Sequence, residues 1–103
     1  MLLHDGRRDV SAERESASLA RYLAARPELD REAFLADFHA LGALNSLRIL
    51  FIFARQVAGF GREKYRAFTP RMWGYLERCL AGSSELDPLR AWLDRHIPPE
   101  RRV

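Results

Sequence analysis

Apolar residues recur every three or four positions along most of the chain, which is the spacing of one face of an α-helix. Strict alternation of apolar and polar residues, the sign of a half-buried strand, does not occur. Proline and glycine fall between the helical stretches and separate them. The pattern predicts an all-α fold of about four helices, with a flexible segment over 1–10, a single helical domain over 11–97 and a loose tail over 98–103.

Capping residues mark where the predicted helices begin. Ser11 and Asp30 are good N-caps, because their side-chain oxygens can accept hydrogen bonds from the first free amides of the next helix. Thr69 is predicted to cap the third helix with Pro70 at its first position, and Asp87 opens the fourth. The second helix begins after Asp30, and these signals predict that it is the longest of the four.

This second, central helix is long for so small a chain. Nothing breaks its pattern until Gly59-Phe60-Gly61, so about 28 residues rising about 1.5 Å each would span about 42 Å. A compact domain of about 100 residues has a radius of gyration of only about 13 Å. We therefore expect the helix either to bend at Gly42 or to make the molecule elongated.

The section from Ile49 to Ala54 is apolar at every position, and at about 100° per residue it covers the full circumference of the helix. A helix that is apolar all round is normally buried, and three shorter helices are too few to surround it. We therefore expect the helix to lean on a partner surface. The interface candidates are Ile49, Phe51, Ile52 and Phe53.

Length and composition exclude several classes of protein. A chain of 103 residues is one domain, and its longest uninterrupted apolar run is far shorter than the roughly 20 residues of a membrane-spanning helix. The first residues lack the basic start and apolar stretch of a signal peptide, so a cytoplasmic protein that crosses no membrane is expected. The net charge is only +3, with basic residues scattered among acids, which disfavours nucleic-acid binding.

Few residues point to chemistry. Cys79 is the single cysteine, which excludes an intramolecular disulfide and a multi-thiolate metal site. We expect it to be a buried thiol, since a reactive nucleophile would need an activating His or Arg beside it. His4, His39 and His96 lie far apart and match no metal-binding motif, and no glycine-rich loop could hold a phosphate. No catalytic or metal-binding residue is therefore predicted.

One polar stripe accompanies the apolar section of the second helix. Asn45, Arg48 and Arg55 recur at spacings of three and seven residues, and polar groups beside buried surface need partners. The arginines could pair with acids on a neighbouring helix. Alternatively, the three residues are substrate-side candidates that form a cationic wall for a phosphorylated or carboxylated ligand, which the fork geometry of a guanidinium favours.

A resemblance to a kinase family is carried by the run from Ala40 to Arg55, by Tyr65 and by the segment 70–76, Pro-Arg-Met-Trp-Gly-Tyr-Leu. These residues resemble the C-terminal helices of the bacterial aminoglycoside-phosphotransferase and choline-kinase-like enzymes, in particular the cell-wall amino-sugar anomeric kinases. The segment 2–10 is similar to the residues that come after the metal-binding aspartate in that family. The resemblance covers nearly the whole chain, but only the last third of such an enzyme.

Full-length members of that family phosphorylate a small hydroxylated substrate with ATP and Mg²⁺. Their catalytic and metal-binding aspartates precede the part to which this chain is similar, so neither role transfers to a residue of this sequence. The resemblance therefore implies a helical subdomain of an amino-sugar phosphotransferase. Such a subdomain is expected to be catalytically incomplete alone, to hold no cofactor itself and to pack against the missing kinase lobe.

The chain departs from the family pattern at three places. Leu44-Asn45 stands where the family often has Gln-Arg, Phe51 replaces a glycine, and Phe60-Gly61-Arg62 replaces an Asp-Gly-Lys turn.

A second hypothesis is a self-associating or partner-binding helical module without enzymatic activity, because a homo-oligomer would also bury the apolar helix. A third, a basic nucleic-acid binder, predicts an affinity that falls steeply with salt.

Overall fold

Four α-helices make up most of residues 10–102, the part of the chain that the computed structural model describes. No strand occurs in these residues, so the predicted all-α fold with one long helix is confirmed for them. The predicted flexible segment falls, apart from Val10, outside the described residues. The helices are α1 (Ala12–Ala24), α2 (Arg31–Phe60), α3 (Thr69–Ala81) and α4 (Asp87–His96), with 3-10 turns at Glu63–Phe68, Ser84–Leu86 and Pro99–Arg101.

Two of the predicted caps are confirmed. The Ser11 hydroxyl accepts a hydrogen bond from the Arg14 amide at 3.1 Å, and Asp30 Oδ1 accepts from two amides in the first turn of α2. The prediction that Thr69 caps the third helix is wrong, since Thr69 is the first residue of α3. Its hydroxyl instead donates to the carbonyl oxygen of Tyr65 at 3.2 Å, because a 3-10 turn leads directly into α3.

Helix α2 runs through Gly42 without interruption and makes the molecule elongated. The described residues extend over 47 × 28 × 18 Å, with a radius of gyration of 14.8 Å. One glycine costs a helix only about 1 kcal/mol, and Gly42 is buried beside other parts of the fold. The helix ends at Gly61, whose φ of 64° lies in the left-handed region that glycine adopts without strain.

The core forms where α3 packs on one side of α2. The apolar face of α3 is almost fully buried, and Leu93 of α4 joins it. The buried residues of α2 are mostly small, which allows α3 to approach closely: Gly42, Ala43, Ser46 and Leu50. From α3 the buried residues are Met72, Tyr75, Leu76, Cys79 and Leu80.

Position 82, just after α3, favours glycine for a steric reason rather than a conformational one. Its φ of −79° is ordinary for any residue. A Cβ atom at this position would collide with the imidazole ring of His39 on α2. His39 therefore packs where α3 ends against α2.

Helix α1 is attached mainly by specific polar and aromatic contacts. Oε1 of Glu15 lies 3.3 Å from the Arg78 guanidinium on α3, with the Glu15 side chain only 6% exposed. The Val10 amide, just before α1, donates to the Tyr75 hydroxyl at 3.0 Å. Tyr22 near the end of α1 stacks on Phe34 of α2, with ring centroids 5.3 Å apart. These contacts bring α1 against α3 at one end and α2 at the other.

Arg102 attaches the end of the described chain to α3 and α4. Its guanidinium donates to Glu77 Oε1 at 2.6 Å and to Asp94 Oδ1 at 3.0 Å, and its Nε donates to the Ile97 carbonyl oxygen at 2.7 Å. The same group lies over the Trp73 ring, 4.4 Å from the centroid, and the side chain is only 9% exposed. The tail that we expected to be loose is therefore held by one side chain.

We expect Arg102→Ala to lower the free energy of unfolding by about 2–3 kcal/mol, because it removes charge-assisted hydrogen bonds that join three parts of the fold. Urea unfolding followed by circular dichroism measures the change. Arg101→Ala is the matched control, since Arg101 is exposed, and its effect should stay within about 0.5 kcal/mol. Equal effects of the two variants would contradict this role of Arg102.

Cys79 is predicted to be unreactive in the folded chain. Burial, helped by the Glu15 carboxylate and opposed by Arg78, raises the pKa of the Cys79 thiol to about 12. At neutral pH the thiolate fraction should be roughly a thousandfold below that of an ordinary cysteine. Iodoacetamide labelling at pH 8, followed by mass spectrometry, should be slow in buffer and fast in urea. Rapid labelling of the folded chain would argue against this burial.

The same shift predicts a pH dependence of stability. The unfolded thiol loses its proton near pH 8.5, whereas the folded thiol holds it until the pH approaches about 12. This contribution to stability is therefore complete below about pH 8.5 and is lost progressively as the pH rises toward 12. Between pH 7 and pH 10, the free energy of unfolding measured with urea should fall more for the natural chain than for Cys79→Ala. An equal fall in both chains would exclude Cys79 as the cause.

Candidate functional site

The side of α2 that faces away from α3 is apolar and open. Leu41 is 61% exposed, Leu44 is 65% exposed and Phe51 is 70% exposed. With 3.6 residues per turn, Leu41 lies opposite Ala43 and Leu50, which α3 covers, whereas Leu44 and Phe51 lie about 80–120° around the helix from them. We call the open surface of α2 that includes Leu41, Leu44 and Phe51 the outer face. Single exposed apolar residues are ordinary, but a continuous face of large ones marks an interaction surface.

The structure divides the four predicted interface residues into two pairs. Phe51 and Ile52 point outward, with Ile52 39% exposed. Ile49 and Phe53 pack against the core cluster instead, and the Phe53 ring lies 5.5 Å from the ring of Tyr65. The chain's own helices therefore cover part of the apolar circumference, and Phe51 and Ile52 belong to the part that they leave open.

Helix α2 is also long and apolar enough, by length and composition alone, to cross a bilayer. The longest uninterrupted apolar run is too short to span a bilayer and predicted no such helix. The whole of α2 is longer than that run, because the run continues into further, mostly apolar turns. Only 22% of its most apolar window is buried within this chain. A single helix of this kind is weak evidence for a membrane, and its low burial shows that most of this window is exposed on the chain.

A groove of about 630 Å³ lies along the first half of the outer face. It brings together two of the predicted substrate-side residues, Asn45 and Arg48. The remaining lining residues precede them at spacings of three and four, and their side chains share one side of the helix. The same spacing is present in the sequence and is a signal for one shared side of the helix. We call this the α2 groove, and its other lining residues are Phe34, Asp37, Phe38, Leu41 and Leu44.

Asn45 and Arg48 form a pair of hydrogen-bond donors in this groove. Arg48 Nη2 donates to Asn45 Oδ1 at 3.1 Å. Asn45 Nδ2 is buried and has no hydrogen-bond acceptor within residues 10–102. Neither residue forms an ion pair with an acid in this part of the chain, so the interpretation of Arg48 as one half of a structural ion pair is not supported. Together the two side chains present N–H groups that lack acceptors.

Arg55, the third predicted substrate-side residue, lies elsewhere. It stands two turns beyond Arg48, and its guanidinium is 6.0 Å from the centroid of the Phe60 ring. It does not line the α2 groove. The structure therefore brings two of the three predicted residues together and leaves Arg55 apart.

A second groove, of about 490 Å³, lies between α2, α3 and α4. Its walls are mostly apolar and include Phe51 and the 53%-exposed Trp92. One of its cations, Arg66, is engaged by Glu63 at 2.7 Å, and this hydrogen bond holds the pKa of the Glu63 carboxyl below its ordinary value. The apolar walls make this groove a packing surface rather than a polar site.

Within residues 10–102, no three His, Cys, Asp or Glu side chains come close enough together to hold a metal ion. His39 packs against Gly82, and His96 lies beside Trp92 with ring centroids 4.6 Å apart. His4 lies outside the described residues.

Comparison with known proteins gives one informative match. Over 102 residues the chain is 62% identical to an N-acetylmuramate/N-acetylglucosamine kinase of Caulobacter vibrioides. The match covers 99% of this chain but only 28% of the length of that kinase. No family model matches the chain, and no solved structure is similar to it. The chain is thus similar to a little over a quarter of a sugar kinase.

Proposed function

We propose that this chain is the C-terminal helical subdomain of an ATP-dependent amino-sugar phosphotransferase and is catalytically incomplete alone. The observation that carries the proposal is the 62% identity to a sugar kinase over nearly all of this chain and 28% of that enzyme. The resemblance of the α2 and α3 sequences to the ends of amino-sugar anomeric kinases supports the C-terminal position.

The outer face of α2 is where the remainder of such a kinase would pack. Covering a large aliphatic or aromatic side chain contributes about 1–2 kcal/mol when roughly two thirds of it is still exposed. Leu41, Leu44 and Phe51 are all exposed to about this degree. Together they offer enough apolar surface to hold a second part of one enzyme, and the proposal gives these residues that role.

A protein neighbour suits this face better than a bilayer does. Arg48 lies near the middle of α2, where a charged side chain costs about 2.5–3.5 kcal/mol to insert into a membrane. Asp37 adds a second charge on the same side of the helix. We therefore propose a cytoplasmic location, with the apolar part of the face covered by protein and its polar part facing a site.

The nucleotide and metal chemistry would come from elsewhere in the enzyme. The described residues include no acidic cluster that fits Mg²⁺, and no residue of the sequence matches the catalytic or metal-binding aspartates of the family. Phosphoryl transfer depends on placing nucleotide, metal and acceptor together. This chain's part in the reaction would be to provide one wall of the substrate site and the surface that supports it.

Self-association is the second candidate function, and the same face favours it. A second copy packed against Phe51 and Ile52 would cover the same apolar surface without any kinase lobe. The two candidates differ in what the outer face touches, so substitutions on this face distinguish them.

A chimeric enzyme tests the kinase proposal. We expect the Caulobacter kinase, with its matching segment replaced by this chain, to phosphorylate amino sugars with ATP, because the chain would supply the missing wall and support. Phosphorylated sugar measured by mass spectrometry is the readout. The same kinase with the segment deleted is the control, and this chain alone should form no product. Activity of the chimera no higher than that of the deletion would refute the proposal.

Phe51→Glu should separate folding of this chain from its docking. Phe51 is exposed, so the free chain's unfolding free energy should change by less than about 0.5 kcal/mol. In the chimera the buried charge should lower activity at least about tenfold, since it leaves an unpaired carboxylate in an apolar contact. Phe60→Glu is the matched control, because Phe60 is 57% exposed at the end of α2 and outside the outer face.

Light scattering on the free chain measures its oligomeric state and so tests the self-association candidate. A dimer that Phe51→Glu converts to a monomer, together with unchanged activity of the chimera carrying the same substitution, would favour the self-associating module. Loss of chimera activity with a monomeric free chain would favour the kinase subdomain.

A further inference from the structure

We propose that Arg48, oriented by Asn45, binds the carboxylate of N-acetylmuramate in the α2 groove and so determines how well the enzyme uses this sugar relative to N-acetylglucosamine. The inference rests on the proposed function, because it takes the α2 groove as part of the substrate site. It assigns a specificity-determining role to a pair of residues that takes no part in the core.

The orientation of the Asn45 amide follows from its contact with Arg48. A guanidinium can only donate, so the oxygen of Asn45 must face it, and the 3.1 Å contact joins Oδ1 to Nη2. The Nδ2 group is then directed away from Arg48, and it is buried without an acceptor within the described residues. A buried donor of this kind is costly unless a ligand or partner satisfies it.

The donors of the pair match a carboxylate. Arginine holds the two oxygens of a carboxylate with two parallel hydrogen bonds, and the remaining guanidinium N–H groups of Arg48 are available for this. Asn45 Nδ2 is buried and directed away from Arg48, so Asn45 acts by holding the guanidinium through Oδ1, and Arg48 holds the carboxylate. A neutral hydroxyl would use only one of these donors and would leave the charge without a counterpart.

The rest of the groove suits the remainder of a sugar acid. Phe34, Phe38 and Leu41 provide apolar walls against which the acetyl methyl group and the less polar face of a sugar ring can pack. Asp37 is the other charged group that lines the groove, and it is three helical turns, about 16 Å, from Arg48. It is far enough away not to repel the carboxylate and can accept hydrogen bonds from hydroxyl groups.

The two sugars in the relative's name differ at one substituent. N-acetylmuramate carries a lactyl ether that ends in a carboxylate, and N-acetylglucosamine has a hydroxyl group in its place. A cation that contacts the carboxylate therefore stabilises the complex with one sugar and not with the other. This difference makes the inference testable by the ratio of two rates in the same enzyme.

The test uses the chimeric kinase with both sugars. We expect Arg48→Met to lower kcat/KM for N-acetylmuramate by about 10- to 100-fold, the range for loss of a charge-assisted hydrogen bond, and for N-acetylglucosamine by less than about threefold. Arg48→Lys should fall between, because lysine keeps the charge and loses the fork. Arg55→Met is the matched control, since it removes a positive charge from α2 outside the groove and should leave the ratio unchanged.

Two outcomes overturn the inference in different ways. An active chimera in which Arg48→Met changes both sugars equally, or neither, refutes the carboxylate contact while the proposed function stands. A chimera that is folded by circular dichroism but inactive with both sugars refutes the proposed function and, with it, the inference.

Nuclear magnetic resonance on the ¹⁵N-labelled full chain gives a readout that does not depend on the chimera. Millimolar N-acetylmuramate should shift the Asn45 side-chain amide signals, and Arg48→Met should abolish the shift. N-acetylglucosamine should produce no such change. Equal shifts with both sugars, or with inorganic phosphate at the same concentration, would show that the pair does not select a carboxylate and would overturn the inference.

Discussion

The packing of α3 on one side of α2 is the contact on which the rest of the structure depends. Small residues on the inner side of α2, such as Ala43 and Ser46, let the apolar face of α3 approach until Met72 and Leu76 are fully buried. One helix can cover only one side of another. Since α1 and α4 are short, the opposite side of α2 stays open, and every functional inference depends on the groups that this open side presents.

The outer face combines two kinds of surface on one helix. Phe51 and Leu44 are large, apolar and exposed, as in a contact between parts of one protein. Asn45 and Arg48 are polar, and Asn45 Nδ2 has no acceptor within residues 10–102. An enzyme whose substrate lies between two of its parts requires this combination, because apolar contact holds the parts together and polar groups face the site between them. The chain is similar to 28% of a sugar kinase, and the remainder of such an enzyme is the neighbour that we propose for this face.

Much of this architecture could be predicted from the sequence. The caps at Ser11 and Asp30 and the uninterrupted pattern after Asp30 predicted the long helix, because local side-chain chemistry fixes helix boundaries. The apolar circumference near Phe51 predicted that α2 would need a neighbour. Composition alone, however, could not assign each residue to a side, and α3 turned out to cover Phe53 while leaving Phe51 open. That division depends on where α3 crosses, which is a tertiary property.

The α2 groove and the Arg102 contacts were missed for a related reason. Asn45 and Arg48 were candidates from spacing, but Phe34 and Asp37 join them only once α2 is known to continue through Gly42 without interruption. Arg102 lies in a segment whose prolines predicted little order, and its partners Glu77 and Asp94 are distant in sequence. Periodicity carries no information on such contacts, since they form only after the helices have docked.

The close approach of Gly82 to His39 has a consequence for related sequences. A side chain at position 82 would force either the imidazole of His39 or the end of α3 to move, unless a smaller residue replaced the imidazole at position 39. The two positions, on different helices, are therefore constrained to vary as a unit. In homologues that keep this fold, a larger side chain at position 82 should accompany a smaller side chain at position 39. The two positions should then covary where these two helices meet.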